Sequence, residues 1–150
     1  MRPPTRIGIM SGAIFRHTHR VVYADCTDGN HIYYARYLDL LEAARGELFR
    51  SLQVPFLKLQ SAGMIFPVIE CRLRYKSPAR YDDLLSIELW LTKAQGVRMN
   101  FSYRVLNQRG TLLLEGETLH VGTDLEEKLK RLPKELIERL QPHLRENTSE

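Results

Sequence analysis

A chain of 150 residues, 43% hydrophobic and 27% charged, is long enough for one ordinary domain with a real core and too apolar to be disordered. A formal net charge of +4 suits an acidic or phosphate-bearing ligand and equally a solvated surface. Two cysteines, Cys26 and Cys71, exclude a disulfide scaffold and offer no zinc spacing, which favours a reducing, cytoplasmic setting.

Residues 1–14 are expected to form a flexible tail before a single domain over 15–150. No small-residue cleavage site precedes "RHTHR", so the tail does not read as a signal peptide. No run of about 18 apolar residues occurs, so no membrane span is expected. Residues 15–24, "FRHTHRVVYA", have the β-branched and aromatic content of a first strand. His17 and His19 share a face of it, but no third ligand accompanies them, so no metal site is expected.

A polar turn, "DCTDGN", then stands directly before a helical pattern. Tyr34, Tyr37, Leu38, Leu41, Ala44, Leu48 and Phe49 recur at helical spacing over about four turns, interrupted by Gly46. Pro55 and "QSAG" at 60–63 predict a loop. Four strands should follow. In the first, Ile69, Cys71, Leu73 and Tyr75 alternate with Glu70, Arg72, Arg74 and Lys76. In the second, Leu85, Ile87, Leu89 and Leu91 share one face and Trp90 lies on the other. "VRMNFSYRV" alternates cleanly, and "TLLLEGETLHVGT" is the last and least regular. Short turns at "KAQG" and "NQRG" predict antiparallel hairpins. "TDLEEKLKRL" predicts a terminal helix with Asp124 as N-cap and Glu127 as its capping-box partner. Pro133 either ends that segment or opens another. One long helix against a curved antiparallel sheet is an α+β architecture.

Four segments together resemble the 4-hydroxybenzoyl-CoA thioesterase family: "YADCTD" at 23–28, "HIYYARYLDLLEAAR" at 31–45, "YKSPARYDDLLSIELWL" at 75–91 and "KRLPKEL" at 130–136. The resemblance runs over roughly residues 15–140. It implies a hotdog fold, in which a five-stranded antiparallel sheet wraps a central helix, and side-by-side pairing into a homodimer or homotetramer. It implies hydrolysis of an acyl-CoA thioester without metal or redox cofactor. In such a site a backbone N–H at the helix start polarises the thioester carbonyl, and a turn carboxylate attacks it or activates water.

By that resemblance the N–H belongs to Tyr34. The acid normally lies ten residues before the tyrosine matching Tyr37, and here that position is Thr27. Asp28 follows at once and takes the role if the turn is one residue shorter. Asp25 matches a more structural acid. Relatives acting on polyketide acyl-carrier proteins also lack the acid, so a carrier-protein thioester is the alternative substrate, and a non-catalytic acyl-binding protein is a further one.

Each candidate also has a plainer role. Asp28-Gly29-Asn30 suits any tight turn. His31 contacts substrate or caps the helix, and Tyr33 and Tyr34 line an acyl pocket or belong to core and interface. Glu42 lies about 12 Å along the helix from Tyr34, and a pair with Arg45 or Arg36 is expected of it. Arg72, Arg74, Lys76 and Arg80 could meet the phosphates of coenzyme A, or form a solvated face. Nucleic-acid binding is not expected, because the basic row has only Tyr75 near it, on the opposite face.

Overall fold

Alternating side chains set the sheet. The computed structural model describes residues 12–145. Five strands lie in the order β1-β3-β4-β5-β2, all antiparallel: β1 (Phe15–Arg20), β2 (Val68–Tyr75), β3 (Leu84–Gln95), β4 (Arg98–Leu106) and β5 (Leu112–Val121). Leu85, Ile87, Leu89 and Leu91 of β3 and Met99, Phe101, Tyr103 and Val105 of β4 are buried on one face. They belong to one core with Tyr37, Leu40, Leu41, Ala44, Leu48 and Phe49 of α1 (Arg36–Ser51). Each such leucine contributes about 1.5–3 kcal/mol by leaving water. The fold is the α+β hotdog arrangement that the sequence led us to expect.

The opposite face of the sheet is charged. Trp90 sits there between the guanidinium groups of Arg104 and Arg145, 5.5 and 5.2 Å from its ring centre. Glu88 accepts from Arg16 and Arg104 beside it. β1 and β2 are the two sheet edges. Val68 and Ile69 of the β2 edge are 49% and 52% exposed.

Three segments differ from expectation. β1 stops at Arg20, and Tyr23–Asp25 forms a 3₁₀ turn. The expected loop after Pro55 contains a short helix, α2 (Phe56–Ser61), which buries Leu59. Residues 124–132 are not helical. The Asp124 carboxylate accepts from the N–H groups of Glu126 and Lys128, Thr123 pairs with Leu129, and Glu127 has φ 70°. An aspartate that bonds back to its own backbone competes with the helix, and the exposed Leu125 and Leu129 have nothing to bury against. The terminal helix, α3 (Lys134–Leu140), begins after Pro133 and buries Leu136 and Leu140.

Of the expected tail, residues 1–11 lie outside the described residues. Ala13 donates to the Pro142 carbonyl at 2.7 Å. Among the described residues no helix is long and apolar enough to cross a membrane.

Candidate active site

The polar turn is a small closed hairpin. The Thr27 N–H donates to the His31 carbonyl at 2.9 Å, and the Asn30 N–H to the Thr27 carbonyl at 3.0 Å. Asn30 takes the left-handed conformation, φ 62°. Asparagine tolerates it because its short side chain bonds locally, and here the Asn30 amide oxygen accepts from the Tyr81 N–H at 3.3 Å. Gly29 is set close to a neighbouring side chain instead. A Cβ there would stand 3.1 Å from the His31 ring.

Asp25 ties this turn to the helix. Its side chain has no exposed surface and is fully engaged. Oδ2 accepts from the Val22 N–H at 2.9 Å and lies 2.7 Å from His19 Nε2. Oδ1 accepts from Arg36 Nε at 2.7 Å. Burial pushes the carboxyl up, but the Val22 N–H, His19 and Arg36 outweigh it and hold it below the ordinary value. The Asp25 carbonyl also accepts from the Tyr33 N–H at 2.9 Å, and the Tyr33 carbonyl from the Arg36 N–H at 2.8 Å. α1 therefore starts at Arg36, two residues later than the hydrophobic spacing predicts.

This leaves the Tyr34 N–H without an acceptor among the described residues. No side chain caps the helix start at Ala35 either. A free N–H at the positive end of a 16-residue helix is suited to a carbonyl on its way to an oxyanion. A pocket of about 390 Å³ opens here, of the size that holds small ligands. Thr27, His31, Tyr33, Tyr34 and Lys76 line it together with Tyr37 and Tyr75. The Tyr75 hydroxyl donates to the Tyr34 carbonyl at 2.9 Å, which fixes the peptide that follows Tyr34. Burial pushes the Tyr37 hydroxyl up to about 12, so it stays protonated at neutral pH.

The structure separates the two candidate turn residues. Thr27 lines both this pocket and a neighbouring depression, while Asp28 is exposed and lines only the depression. Arg80 stands behind the turn, its guanidinium 3.4 Å from the Asn30 carbonyl. Arg72 and Arg74 are not gathered with it. They lie among glutamates, Arg72 at 3.1 Å from Glu70, and Arg74 at 2.8 Å from Glu117 and 3.6 Å from Glu115. Glu42 makes no ion pair among the described residues, contrary to expectation. Arg36 is taken by Asp25 and Asp39, and Arg45 turns to Tyr103. Sequence reasoning also missed Tyr75 as a pocket residue. The available signal was its place at the strand end, beside "KSP", and there its ring meets those of Tyr34 and Tyr37.

A second cavity, of about 170 Å³, lies further along α1. Glu42, Arg45, Phe56, Met64, Phe66 and His120 line it. Behind it runs a buried chain: Arg45 Nη1 to the Tyr103 hydroxyl at 2.8 Å, that hydroxyl to Thr118 Oγ1 at 2.6 Å, and Thr118 Oγ1 to His120 Nε2 at 2.9 Å. Burial, then Arg45, pushes His120 down to about 4, so the ring is neutral. Its Nδ1–H must donate to the Phe66 carbonyl at 3.1 Å, because a carbonyl only accepts. Nε2 is then an acceptor, and every hydroxyl in the chain points from Arg45 towards His120.

Comparisons with known proteins agree with this fold. An Escherichia coli acyl-CoA thioester hydrolase, YbgC, is 35% identical over 129 residues, 85% of this chain and 96% of that one. The crystal structure of protein AQ1494 from Aquifex aeolicus superposes with a TM-score of 0.80 at 27% identity, covering 84% of this chain and 98% of the other. The Synechocystis 1,4-dihydroxy-2-naphthoyl-CoA thioesterase Slr0204 shares the fold, with a TM-score of 0.80 at 22% identity over 85% and 96% of the two chains. Residues 21–140 match the model of the thioesterase-like superfamily, and the chain belongs to that superfamily.

Proposed function

We propose that this chain is an acyl-CoA thioesterase, which hydrolyses a thioester to a free acid and CoA. The observation that carries the proposal is the unpartnered N–H of Tyr34, a residue that lines a tyrosine-rich pocket together with Thr27. The thioester carbonyl accepts from that N–H, and the α1 dipole stabilises the negative charge that develops on its oxygen. Thr27 Oγ1 holds the attacking water. Asp28, the free carboxylate of the turn, takes a proton from it, since Asp25 is already spent on three partners. Collapse of the tetrahedral intermediate breaks the C–S bond, and the proton returns to the departing thiolate. Tyr33 and His31 border the acyl chain. Arg80, which faces no carboxylate among the described residues, is the cation best disposed for CoA phosphates, because Arg72, Arg74 and Lys76 already face glutamates. The chemistry calls for no metal or redox cofactor. The E. coli relative's name supports a CoA ester as substrate, and Thr27 in place of an acid favours a carrier-protein thioester as the second reading.

The working unit is a homodimer or a homotetramer, built from a single domain that starts at residue 15 and works in the cytoplasm. The exposed β2 edge supports pairing with a second copy. Antiparallel pairing about a two-fold axis sets the start of one β2 beside the end of the other. The Phe66 end of the second cavity would then meet the tyrosine pocket of the second copy. A thiol-release assay over short, long and aromatic acyl-CoAs and the matching carrier-protein thioesters tests the activity. We expect turnover, insensitive to chelators. A complete lack of turnover on all of them leaves only an acyl-binding role.

A further inference from the structure

Outside the pocket, two tyrosines are stacked in the open. The rings of Tyr23 and Tyr81 lie 4.1 Å apart and within 6° of parallel, although the residues are 76% and 41% exposed. The backbone builds this pair deliberately into the surface. The Asp82 N–H donates to the Val21 carbonyl and the Val21 N–H to the Asp83 carbonyl, and Asp82 is held at φ 72°. Those bonds fix the 80–83 loop alongside the 21–25 turn. The stack walls the depression of about 500 Å³ that also contains Thr27, Asp28 and Asn30. Two arginines are bonded to backbone at or next to its lining residues, and neither has a carboxylate partner among the described residues. Arg20 donates only to the Asp82 carbonyl at 3.0 Å, and Arg80 only to the Asn30 carbonyl at 3.4 Å.

From this, and building on the thioesterase assignment, we propose that the Tyr23–Tyr81 stack is the platform for the adenine ring of CoA, with Arg20 and Arg80 meeting its phosphates. A flat exposed π-face takes a base by stacking, whatever its edge pattern. Guanidinium forks with spare N–H groups match phosphate oxygens. Asp28 lines the depression, so the phosphates sit away from its carboxylate. The depression shares Thr27 with the tyrosine pocket, so a ligand with a thioester at one end and a nucleotide at the other can occupy both. A carrier protein presents no nucleotide, so this platform also selects CoA over the carrier-protein substrate.

Kinetics on the full chain with an acyl-CoA and the same acyl-pantetheine provide the test, together with calorimetry using 3′,5′-ADP. Tyr23→Ala and Arg20→Gln should each raise KM for the acyl-CoA about tenfold with kcat unchanged. Both should leave acyl-pantetheine kinetics as in the wild type. Tyr23→Phe keeps the stack and should keep the wild-type KM. An unchanged KM for acyl-CoA in Tyr23→Ala overturns the platform, and so does an equal loss on acyl-pantetheine, which would mean a distorted turn. If the wild type hydrolyses no thioester, the assignment of activity fails by itself. Calorimetry then decides separately: 3′,5′-ADP binding weakened by Tyr23→Ala sustains the platform, and no binding removes it.

Discussion

Two adjacent turn residues carry the unresolved chemistry. Thr27 lines the pocket that Tyr34 also lines, and Asp28 lines the depression beside it, which Thr27 shares. If Asp28 supplies the base through a Thr27-held water, Asp28→Asn should lower kcat by ~10²-fold or more with little change in KM. Thr27→Val should have a modest effect by loosening that water. A dead Thr27→Val beside an active Asp28→Asn reverses the assignment. Asp25 has a different fate. It is buried between His19 and Arg36, so Asp25→Asn should cost about 3 kcal/mol, or a Tm lower by about 6–12 °C. The sign with pH follows from its depressed carboxyl. Its contribution is complete above the ordinary value near pH 4 and disappears as pH falls through the lower native value. Acid titration of the Asp25→Asn variant should lack that component. If both proteins lose stability alike below pH 4, the carboxylate is not the anchor it looks to be. The acid before a helix start was legible from "DCTDGN". The split between Thr27 and Asp28 was not, because one residue of turn geometry decides which side of a hairpin a side chain leaves from.

The elements with a strong period were readable, and those without were misread. β3 and β4 alternate because both pack on α1, and periodicity reports burial directly. Residues 124–132 have helix-forming composition, but no surface is left for them to cover, and Asp124 closes a local turn instead. β5 looked irregular for a related reason. Its inward row includes Gly116, Thr118 and His120, small or polar residues that a hydrophobic pattern cannot flag. A Cβ at Gly116 would come within 2.7 Å of the Arg72 carbonyl oxygen. Thr118 and His120 belong to the buried chain that ends on Arg45. His120 is held near 4, well under an ordinary histidine. The unfolded chain therefore binds a proton between about pH 6.5 and 4 that the native state refuses, and stability falls with pH across that window. The drop amounts to roughly 3 kcal/mol at 1.36 kcal/mol per pH unit. Denaturant melts at pH 7, 5.5 and 4.5 should show it, and His120→Gln should flatten the curve. A wild-type curve already flat over that range would mean the ring charges without cost.

Assembly is where a single chain is least complete. The β2 edge offers unpaired backbone groups, and Ile69, Cys71 and Tyr75 on it are exposed while Leu73 packs against the core. An edge of eight residues without a proline, bulge-protected only between Val68 and Glu70, is the kind of edge that another strand covers. The two cavities sit at opposite ends of this strand, one beside Phe66 and one beside Tyr75 and Lys76. The proposed two-fold pairing through β2 would bring them together and make activity depend on assembly. Ile69→Lys tests this without touching either cavity. On an isolated chain the change lies on an exposed side chain and should shift stability by less than about 0.5 kcal/mol. Against a second β2 it buries a charge at the seam. Light scattering of the wild type should give twice or four times the 17.5 kDa chain mass. The variant should fall to one chain mass, keep its circular dichroism melt and lose turnover. A fully active monomer, wild type or variant, would show that one chain holds the whole site.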